Sequence, residues 1–302
     1  MNSMVYKRKL PLAVFLIPAF AIMALFIYYP FIVNIINSFQ KVGALGTGAV
    51  PVNDSGSMFF LDNWKFVFSD PTMRSAVLNT LKMMAVTVVF QVGIALLLAL
   101  LVDNVRRGAQ AYRTIYFFPI VISASALGLL FNMVFLYDTG MLNNILISLG
   151  IISKDTLIDW KSFDNAFFTM TLPVIWQYVG FYFVILATGL NNISADIYEA
   201  AAIDGATGFQ RIRFITLPLL RNTIITCVTL ALTGALKVFD LPWQMFPKGA
   251  PAGTTYLTGT YMYQQTFNVR NVGQGSAIAV VIVALGIAAA QITSLVLRPK
   301  DM

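Results

Sequence analysis

The chain has 302 residues, of which 58% are hydrophobic and only 11% are charged. Soluble domains contain roughly 45–50% apolar and about 25% charged residues, so this composition excludes a water-soluble protein and indicates one embedded in a bilayer. The net charge is +7, but the basic residues are scattered in loops between apolar runs, which argues against a nucleic-acid-binding face. The single cysteine, Cys227, and the lack of histidine exclude disulfide frameworks, Cys/His metal sites and histidine acid–base chemistry.

Apolar runs of about 20 residues, the length needed to cross a hydrocarbon core, predict the transmembrane segments. Six such runs occur in the sequence, at 12–36, 76–102, 114–136, 165–190, 222–241 and 275–297. The glycine-rich stretch within 40–75 predicts a flexible connection. We therefore predict an all-α membrane protein with six transmembrane helices. Its predicted parts are an anchor with an extracytoplasmic loop (1–73), a transmembrane core (74–297) that contains a loop at 191–220, and a short tail (298–302).

The orientation follows from lysine and arginine in the connections, because cytoplasmic loops are enriched in these residues. One side would carry Lys7, Arg8, Lys9, Arg106, Arg107, Arg113, Arg211, Arg213, Arg221, Arg298 and Lys300. The other side, which has longer connections, would carry Lys41, Lys65, Arg74, Lys154, Lys161, Lys248 and Arg270. This bias predicts that both termini are cytoplasmic. The first run is too long for a cleaved signal sequence and has no small-residue cleavage site, so we expect a retained anchor.

The only glutamate of the chain, Glu199, lies in the polar loop between the fourth and fifth runs. Ser194 is placed to cap a helix there, and Gly205 is placed to end it in a left-handed turn. Thr207 and Gln210 have the spacing of a capping box, which begins a second helix. Pro218 fits the first turn of the next span. The loop is therefore predicted to be a folded helix-turn-helix at the cytoplasmic membrane surface.

Such a loop is suited to docking on another protein. Ala200, Ala201 and Ala202 cover little of the backbone, and Glu199 can reach a basic group through a charge-assisted hydrogen bond. The sequence contains no GxxxxGK[ST] phosphate-binding loop, so nucleotide energy would come from a separate protein. An ordinary surface helix with small residues is the alternative if "EAA" is considered alone.

The longer run "YEAAAIDGATGFQRIRFITLPLL" resembles the coupling-loop signature of ATP-binding-cassette (ABC) importer permeases. In that signature Glu-Ala-Ala is followed by a glycine and by an Ile-x-Leu-Pro ending, and the matching positions are Glu199, Ala200, Ala201, Gly205, Ile215, Leu217 and Pro218. Flanking stretches such as "YRTIYFFPIVIS" and "VFDLPWQM" are similar to the sugar-permease branch that includes the larger maltose-system subunit. The resemblance covers nearly the whole chain. It departs at "FPKGAPAGTT", where the family usually has a tighter glycine-rich turn.

The resemblance implies a type I ABC importer fold in a bacterial or archaeal plasma membrane. It also implies a second homologous permease, two cytoplasmic ATPase subunits, an extracytoplasmic solute-binding protein and a carbohydrate substrate, in contact with membrane lipid. This chain would bind no cofactor, because the ATPase subunits would hydrolyse ATP with Mg²⁺. Coupling to the ATPase would involve the loop residues Glu199, Ala200, Ala201, Asp204, Gly205, Leu217 and Pro218.

The substrate path would need hydrogen-bonding and aromatic side chains within the spans. The candidates are Gln91, Asn132, Trp176, Gln177, Tyr178, Tyr182, Asp240 and Gln244. Hydrogen bonding between helices is the competing use of the same side chains. Lys237 and Asp240 are three residues apart, so we expect them to pair on one helix face near the outer end.

Three other classes of function were weighed. An ABC permease for a non-sugar solute, such as glycerol phosphate or an amino acid, would share the coupling loop. A secondary transporter would need inverted repeats, broken helices and a buried acidic residue, which the sequence does not indicate. A membrane enzyme would need a nucleophile with a base or a metal set, and the composition offers neither.

Overall fold

The computed structural model describes residues 9–42, 49–50, 61–103 and 108–296. Several residues on which the predicted orientation depends lie outside this part of the chain, namely Lys7, Arg8, Arg106, Arg107, Arg298 and Lys300, as does the predicted tail 298–302. The cytoplasmic placement of both termini therefore stays a prediction.

The described chain is mostly helical, with one small two-stranded sheet. The first elements are α1 (Lys9–Met23), a π-helical turn (Ala24–Tyr28), α2 (Tyr29–Ser38), β1 (Lys41–Val42), β2 (Ala49–Val50) and α3 (Asp62–Ser69). The next are α4 (Pro71–Val86), a π-helical segment (Thr87–Val92), α5 (Gly93–Asp103), α6 (Ala109–Val121), α7 (Ala124–Val134), α8 (Met141–Ser148) and α9 (Ala166–Asn191). The last are α10 (Ala195–Ile203), α11 (Gly208–Arg211), a π-helical turn (Ile212–Thr216), α12 (Leu217–Lys237), α13 (Asp240–Met245), a 3₁₀ turn (Pro247–Gly249), α14 (Thr258–Tyr263), a π-helical turn (Gln264–Asn268) and α15 (Val272–Val296).

The chain divides into two compact units, and the first comprises residues 1–70 and 262–281. In this unit β1 and β2 pair antiparallel, with Lys41 opposite Val50. The buried Asn63 of α3 donates from Nδ2 to the Ser38 carbonyl at 3.1 Å and to the Gln40 carbonyl at 2.9 Å. These bonds fix α3 against the end of α2. This short sheet lies in the stretch that was predicted to be a flexible connection, and it was not predicted.

The second unit comprises residues 71–261 and 282–302 and holds the main apolar cores. Its long helix α9 packs against α5, α6 and α12. The close approach of α6 and α9 depends on Gly180, because a Cβ at this position would collide with the carbonyl group of Tyr116. Small residues allow this kind of backbone contact in membrane helix bundles. The predicted domain boundaries at 73 and 297 stay predictions.

Within the described residues, five helical segments are long and apolar enough to cross a membrane, and a bent pair, α6 with α7, makes six if it counts as one span. The third predicted run, 114–136, was expected to be one continuous helix, and this is wrong. The two helices meet at 92°, because Ile122 and Ser123 have extended backbone angles (ψ 134° and 131°). The Ile122 carbonyl, which has lost its place in a helical ladder, accepts a hydrogen bond from Gln177 Nε2 at 3.2 Å.

The fifth predicted run, 222–241, also differs from the structure. Its helix begins earlier, at Leu217, and ends at Lys237, where Val238 is extended (φ −62°, ψ 117°). A separate helix, α13, starts at Asp240. The expected pairing of Lys237 with Asp240 on one helix face is therefore wrong, because the two residues belong to different helices. No ion pair joins them in the described part of the chain.

Candidate functional site

The loop between α9 and α12 is fixed first by the two ends of α10. Its N-terminus is capped by Ser194, whose Oγ accepts a hydrogen bond from the Asp196 amide at 3.3 Å. At the C-terminus Gly205 has φ +77°, the left-handed conformation that glycine adopts at little cost. The Gly205 amide donates to the Ala202 carbonyl at 3.1 Å and the Ala206 amide to the Ala201 carbonyl at 2.9 Å. This pair of bonds is a Schellman motif, as the sequence predicted for a glycine at this position.

The second helix begins with the predicted capping box. The Thr207 amide donates to Gln210 Oε1 at 2.8 Å, and the Gln210 amide donates to Thr207 Oγ1 at 3.4 Å. After α11 the helix continues through one π-helical turn directly into α12, whose first turn contains Pro218. Pro218 therefore lies inside a continuous helix, where its missing N–H removes one backbone hydrogen bond beside the π-helical turn. The second short helix and the fifth span are thus one continuous rod.

A side-chain hydrogen bond ties α10 to this rod. The hydroxyls of Tyr198 and Thr216 are 3.1 Å apart, and Thr216 Oγ1 also donates to the Arg211 carbonyl at 3.3 Å. These residues line a cavity of about 230 Å³ together with Leu100 and Asp103 of α5. The two short helices therefore have a defined mutual arrangement.

The exposed surface of the loop includes Glu199, Asp204 and Gly205. No hydrogen bond or ion pair to the Glu199 carboxylate is recorded within the described residues. The three alanines differ from one another, because Ala200 and Ala202 are exposed whereas Ala201 is only 7% exposed and faces inward.

Two apolar side chains of the same loop were missed by the sequence interpretation. Ile203 is 87% exposed and Phe209 is 76% exposed. In the sequence these two residues lie on either side of the Gly205 turn, where neither can reach the membrane core. This position could have indicated that their side chains are exposed. Of the remaining predicted loop residues, Leu217 is half-buried and Pro218 is exposed.

Three of the predicted substrate-path residues meet at one cavity of about 190 Å³, which is lined by both polar and apolar side chains. Gln91 comes from the π-helical segment 87–92, and Tyr178 and Tyr182 are one turn apart on α9. Gln91 Nε2 donates to the Val174 carbonyl at 2.9 Å, which leaves its Oε1 oxygen facing no described donor. Lys237, at the end of α12, lines the same cavity. The sequence interpretation favoured a pair of Lys237 with Asp240 instead, because it assumed that the helix continued past Lys237. Pro242, which lies in the first turn of α13, was the signal for a new helix start.

The other predicted path residues lie elsewhere. Asn132 donates from Nδ2 to the Gln244 carbonyl at 3.0 Å and accepts from Lys161 Nζ at 2.6 Å, so it joins α7, α13 and the loop before α9. Gln177 is buried and bonds to the break between α6 and α7. The side chains of Asp240 and Gln244 are exposed on α13. Substrate contact by these residues stays a prediction, and the observed bonds of Asn132 and Gln177 are of the competing, interhelical kind.

Trp176 lines a separate and much larger apolar cavity of about 1110 Å³. Its ring meets Phe131 edge-on, with 5.8 Å between the ring centroids, and Gly180 lines the same cavity one turn further along α9. Trp176 and Tyr182 were expected on nearby faces of this helix, but they face different cavities. The apolar lining cannot provide the hydrogen bonds that a sugar requires.

Among the residues that the structure describes, no group of three or more His, Cys, Asp or Glu side chains could hold a metal ion. Outside the membrane-spanning segments, burial lowers the pKa of Lys161 from its ordinary value, and the charge of Asp159 opposes that shift. The Lys161 ammonium also lies 5.9 Å from the centre of the Phe246 ring.

Comparison with known proteins gives the family. Residues 91–300 match the family described as the binding-protein-dependent transport system inner membrane component. The chain belongs to this family.

Similar proteins match between about three quarters and nearly all of this chain. The osmoprotective compounds uptake permease protein GgtC of Synechocystis sp. is 36% identical over 74% of this chain and 80% of that protein. The sulfoquinovosyl glycerol transport system permease protein SmoG of Agrobacterium fabrum is 31% identical over 96% of this chain and 91% of that protein. A bacterial ABC transporter involved in the import of the acidic polysaccharide alginate matches in structure, with a TM-score of 0.82, 22% identity and 98% coverage of both chains.

As a member of the binding-protein-dependent family, the chain is a multi-pass inner membrane transport component rather than an enzyme. The structural match confirms the predicted fold, that of an ABC importer transmembrane subunit.

Proposed function

We propose that this permease subunit imports a carbohydrate, and that it forms half of a translocation path that opens alternately to the two sides of the membrane. Membership of the transport family supports the permease role. The names of two similar proteins support the substrate class, since one is a sulfoquinovosyl glycerol permease and the other belongs to an alginate importer. The cavity with Gln91, Tyr178 and Tyr182 offers the amide and hydroxyl groups that bind sugars.

The energy for import comes from partner subunits. In this proposal each of two related permeases docks its α10 helix into a cytoplasmic ABC ATPase, which binds ATP and Mg²⁺. An extracytoplasmic solute-binding protein delivers the substrate, and this agrees with a related alginate transporter that was solved with a periplasmic protein carrying an alginate pentasaccharide. Closure of the ATPase dimer pulls on the two loops and turns the cavity outward.

The observation that carries the proposal is the exposed, unpaired Glu199 on a short helix that is capped at both ends. An isolated surface helix of nine residues is marginal in water, so the caps, the Gly205 turn and the Tyr198 contact indicate a surface held in one shape. An exposed carboxylate, with the exposed Ile203 on the same helix and the exposed Phe209 just after the Gly205 turn, suits a basic, partly apolar cleft on another protein.

The first experiment measures uptake of labelled oligosaccharides into vesicles that contain the assembled complex. We expect uptake to require hydrolysable ATP and to survive collapse of the ion gradients. Uptake that follows an ion gradient and ignores the nucleotide would contradict an ABC importer and favour a secondary transporter.

The second experiment compares Glu199→Gln with Asp196→Asn in the same vesicles. A charge-assisted hydrogen bond contributes about 1.5–3 kcal/mol, so Glu199→Gln should weaken ATPase docking by about ten- to 150-fold and lower substrate-stimulated ATP hydrolysis. Asp196→Asn removes a charge from the same helix but at a side chain that already bonds to Ser194, at 3.2 Å, and serves as the matched control. Equal effects of the two variants would contradict docking through Glu199.

A second candidate substrate follows from the 36% identical relative, which is named for osmoprotective compounds. A small compatible solute is therefore the alternative cargo of the same machine. Competition of unlabelled small osmolytes against labelled oligosaccharide uptake separates the two candidates.

A further inference from the structure

We propose that Lys237 binds an anionic group of the transported carbohydrate, so that the cargo is an acidic sugar rather than a neutral one. This inference rests on the function proposed above. The lysine gives the cavity a positive charge, and this charge selects an anionic substrate. Amide and hydroxyl groups alone are neutral and would not select one.

The lysine is placed in the cavity by the break in the fifth span. Helix α12 ends at Lys237, whose side chain is exposed, and the extended Val238 interrupts the helix before α13. Beyond this interruption Leu241 and Met245 of α13 are buried, at 3% and 2% exposed. Lys237 therefore lines the cavity beside Gln91 and the two tyrosines, although the sequence suggested a residue that leaves the membrane.

No protein anion neutralises this lysine in the described part of the chain. Asp240, three residues on, lies on a separate helix and forms no ion pair with it. Charged side chains inside membrane spans are costly, so they usually mark the path of a substrate or ion and are paired in use. An anionic cargo would pair with Lys237, and this pair would form only while the cargo is bound.

The neighbouring groups complete the recognition of a sugar acid. Neither the Tyr178 nor the Tyr182 hydroxyl has a hydrogen-bond partner among the described residues, and Gln91 Oε1 is also unengaged. Two hydroxyls and an amide oxygen suit sugar hydroxyls, and an ammonium suits a carboxylate or phosphate as a point charge. A complete ligand site has roughly 300–1,000 Å³, so the cavity of about 190 Å³ is suited to one sugar unit of a longer ligand.

A simpler account is that Lys237 only stabilises the C-terminus of α12, where a cation interacts favourably with the helix dipole. In that case, replacing Lys237 would change the stability of the protein and would not change which ligands it binds. It also gives no reason for the unengaged hydroxyls that line the same cavity as Lys237. Ligand choice is therefore the property to measure.

The test uses the intact complex in lipid nanodiscs, with binding measured by calorimetry. The probes are two matched pairs, trigalacturonate with its methyl ester and glucose 6-phosphate with glucose, and the pairs distinguish a carboxylate from a phosphate. The variants are Lys237→Met and Lys237→Arg. Lys154→Met, which removes a charge from an exposed loop, is the matched control.

We expect the wild type to bind the acidic member of one pair at least about tenfold more tightly, which corresponds to about 1.4 kcal/mol. Lys237→Met should abolish this preference while the neutral probe binds as before, and Lys237→Arg and Lys154→Met should keep it. A wild type without preference in either pair, or a Lys237→Met variant that weakens acidic and neutral probes equally, overturns the proposal.

The two proposals fail in different ways. If ATP drives uptake of neutral sugars and acidic ones are not preferred, the carbohydrate importer stands and the role of Lys237 falls. If ATP drives uptake of neither kind of carbohydrate, the proposed function falls first, and the assignment of Lys237 falls with it.

Discussion

The hydroxyl groups of Tyr198 and Thr216 lie 3.1 Å apart and connect the first helix of the loop, α10, to the start of the membrane helix α12. Thr216 is buried and Tyr198 is half-buried, so this contact is shielded from competition by water. A force on α10 can therefore reach α12 through a side chain as well as through the backbone of the Gly205 turn.

Replacing Tyr198 with phenylalanine should weaken this connection without changing the packing of the ring. A neutral hydrogen bond contributes about 0.5–1.5 kcal/mol, so we expect substrate-stimulated ATP hydrolysis to fall by about two- to tenfold in Tyr198→Phe. Tyr137→Phe, at an exposed tyrosine after α7, is the control. Unchanged stimulation in Tyr198→Phe would show that the backbone alone transmits the movement.

Gly205 should tolerate no side chain without cost, because its φ of +77° is left-handed. An L-residue in this conformation loses about 1–2 kcal/mol, so Gly205→Ala should loosen the end of α10. We expect faster amide hydrogen exchange in residues 200–206 and weaker coupling to the ATPase. Gly208→Ala is the matched control, since Gly208 has no neighbour within 4 Å and no positive φ. Equal exchange rates in the two variants would contradict this role of Gly205.

Gly180 should be the most sensitive position in the contact between α6 and α9. A methyl group there would collide with the Tyr116 carbonyl, and both partners lie on rigid helices. Overpacking of this kind costs about 1–3 kcal/mol, so Gly180→Ala should unfold at a lower temperature in detergent micelles. The control is Gly93→Ala, where nothing lies within 4 Å of the added carbon and alanine is the better helix former. An unfolding temperature in Gly180→Ala equal to that of the control would mean that the helices separate easily.

Lys161 should make stability depend on pH in the alkaline range. Burial lowers the pKa of its ammonium below the ordinary value of 10.5, so the folded state binds fewer protons than the unfolded state between the lowered pKa and 10.5. Stability contributed by this group therefore increases as the pH rises through that window. We expect the unfolding midpoint of the wild type, relative to that of Lys161→Met, to rise from neutral pH towards 10.5. The exposed Lys154→Met should show no such trend against the wild type, and a flat difference for Lys161→Met would contradict the prediction.

Much of the loop and the number of spans follow from the sequence alone. Hydropathy finds the six runs because each must be apolar over about 20 residues, whatever it packs against. The caps at Ser194 and Thr207 and the turn at Gly205 are equally readable, because a cap joins residues two or three apart. Such contacts are local, and local rules are sufficient to predict them.

The tertiary structure decided where two of the six spans break and which polar residues meet. Residues Ile122 and Val238 are ordinary apolar residues, and the break at Ile122 is held by Gln177 from another helix, 55 residues away. The same holds for Ala200 and Ala201, whose different exposure depends on what α10 packs against. Hydropathy averages the composition of a window and cannot tell apolar residues that face lipid from those that face another helix. The position of Lys237 at the cavity depends on which residues face another helix and which face lipid. The substrate class inferred from Lys237 depends on this too.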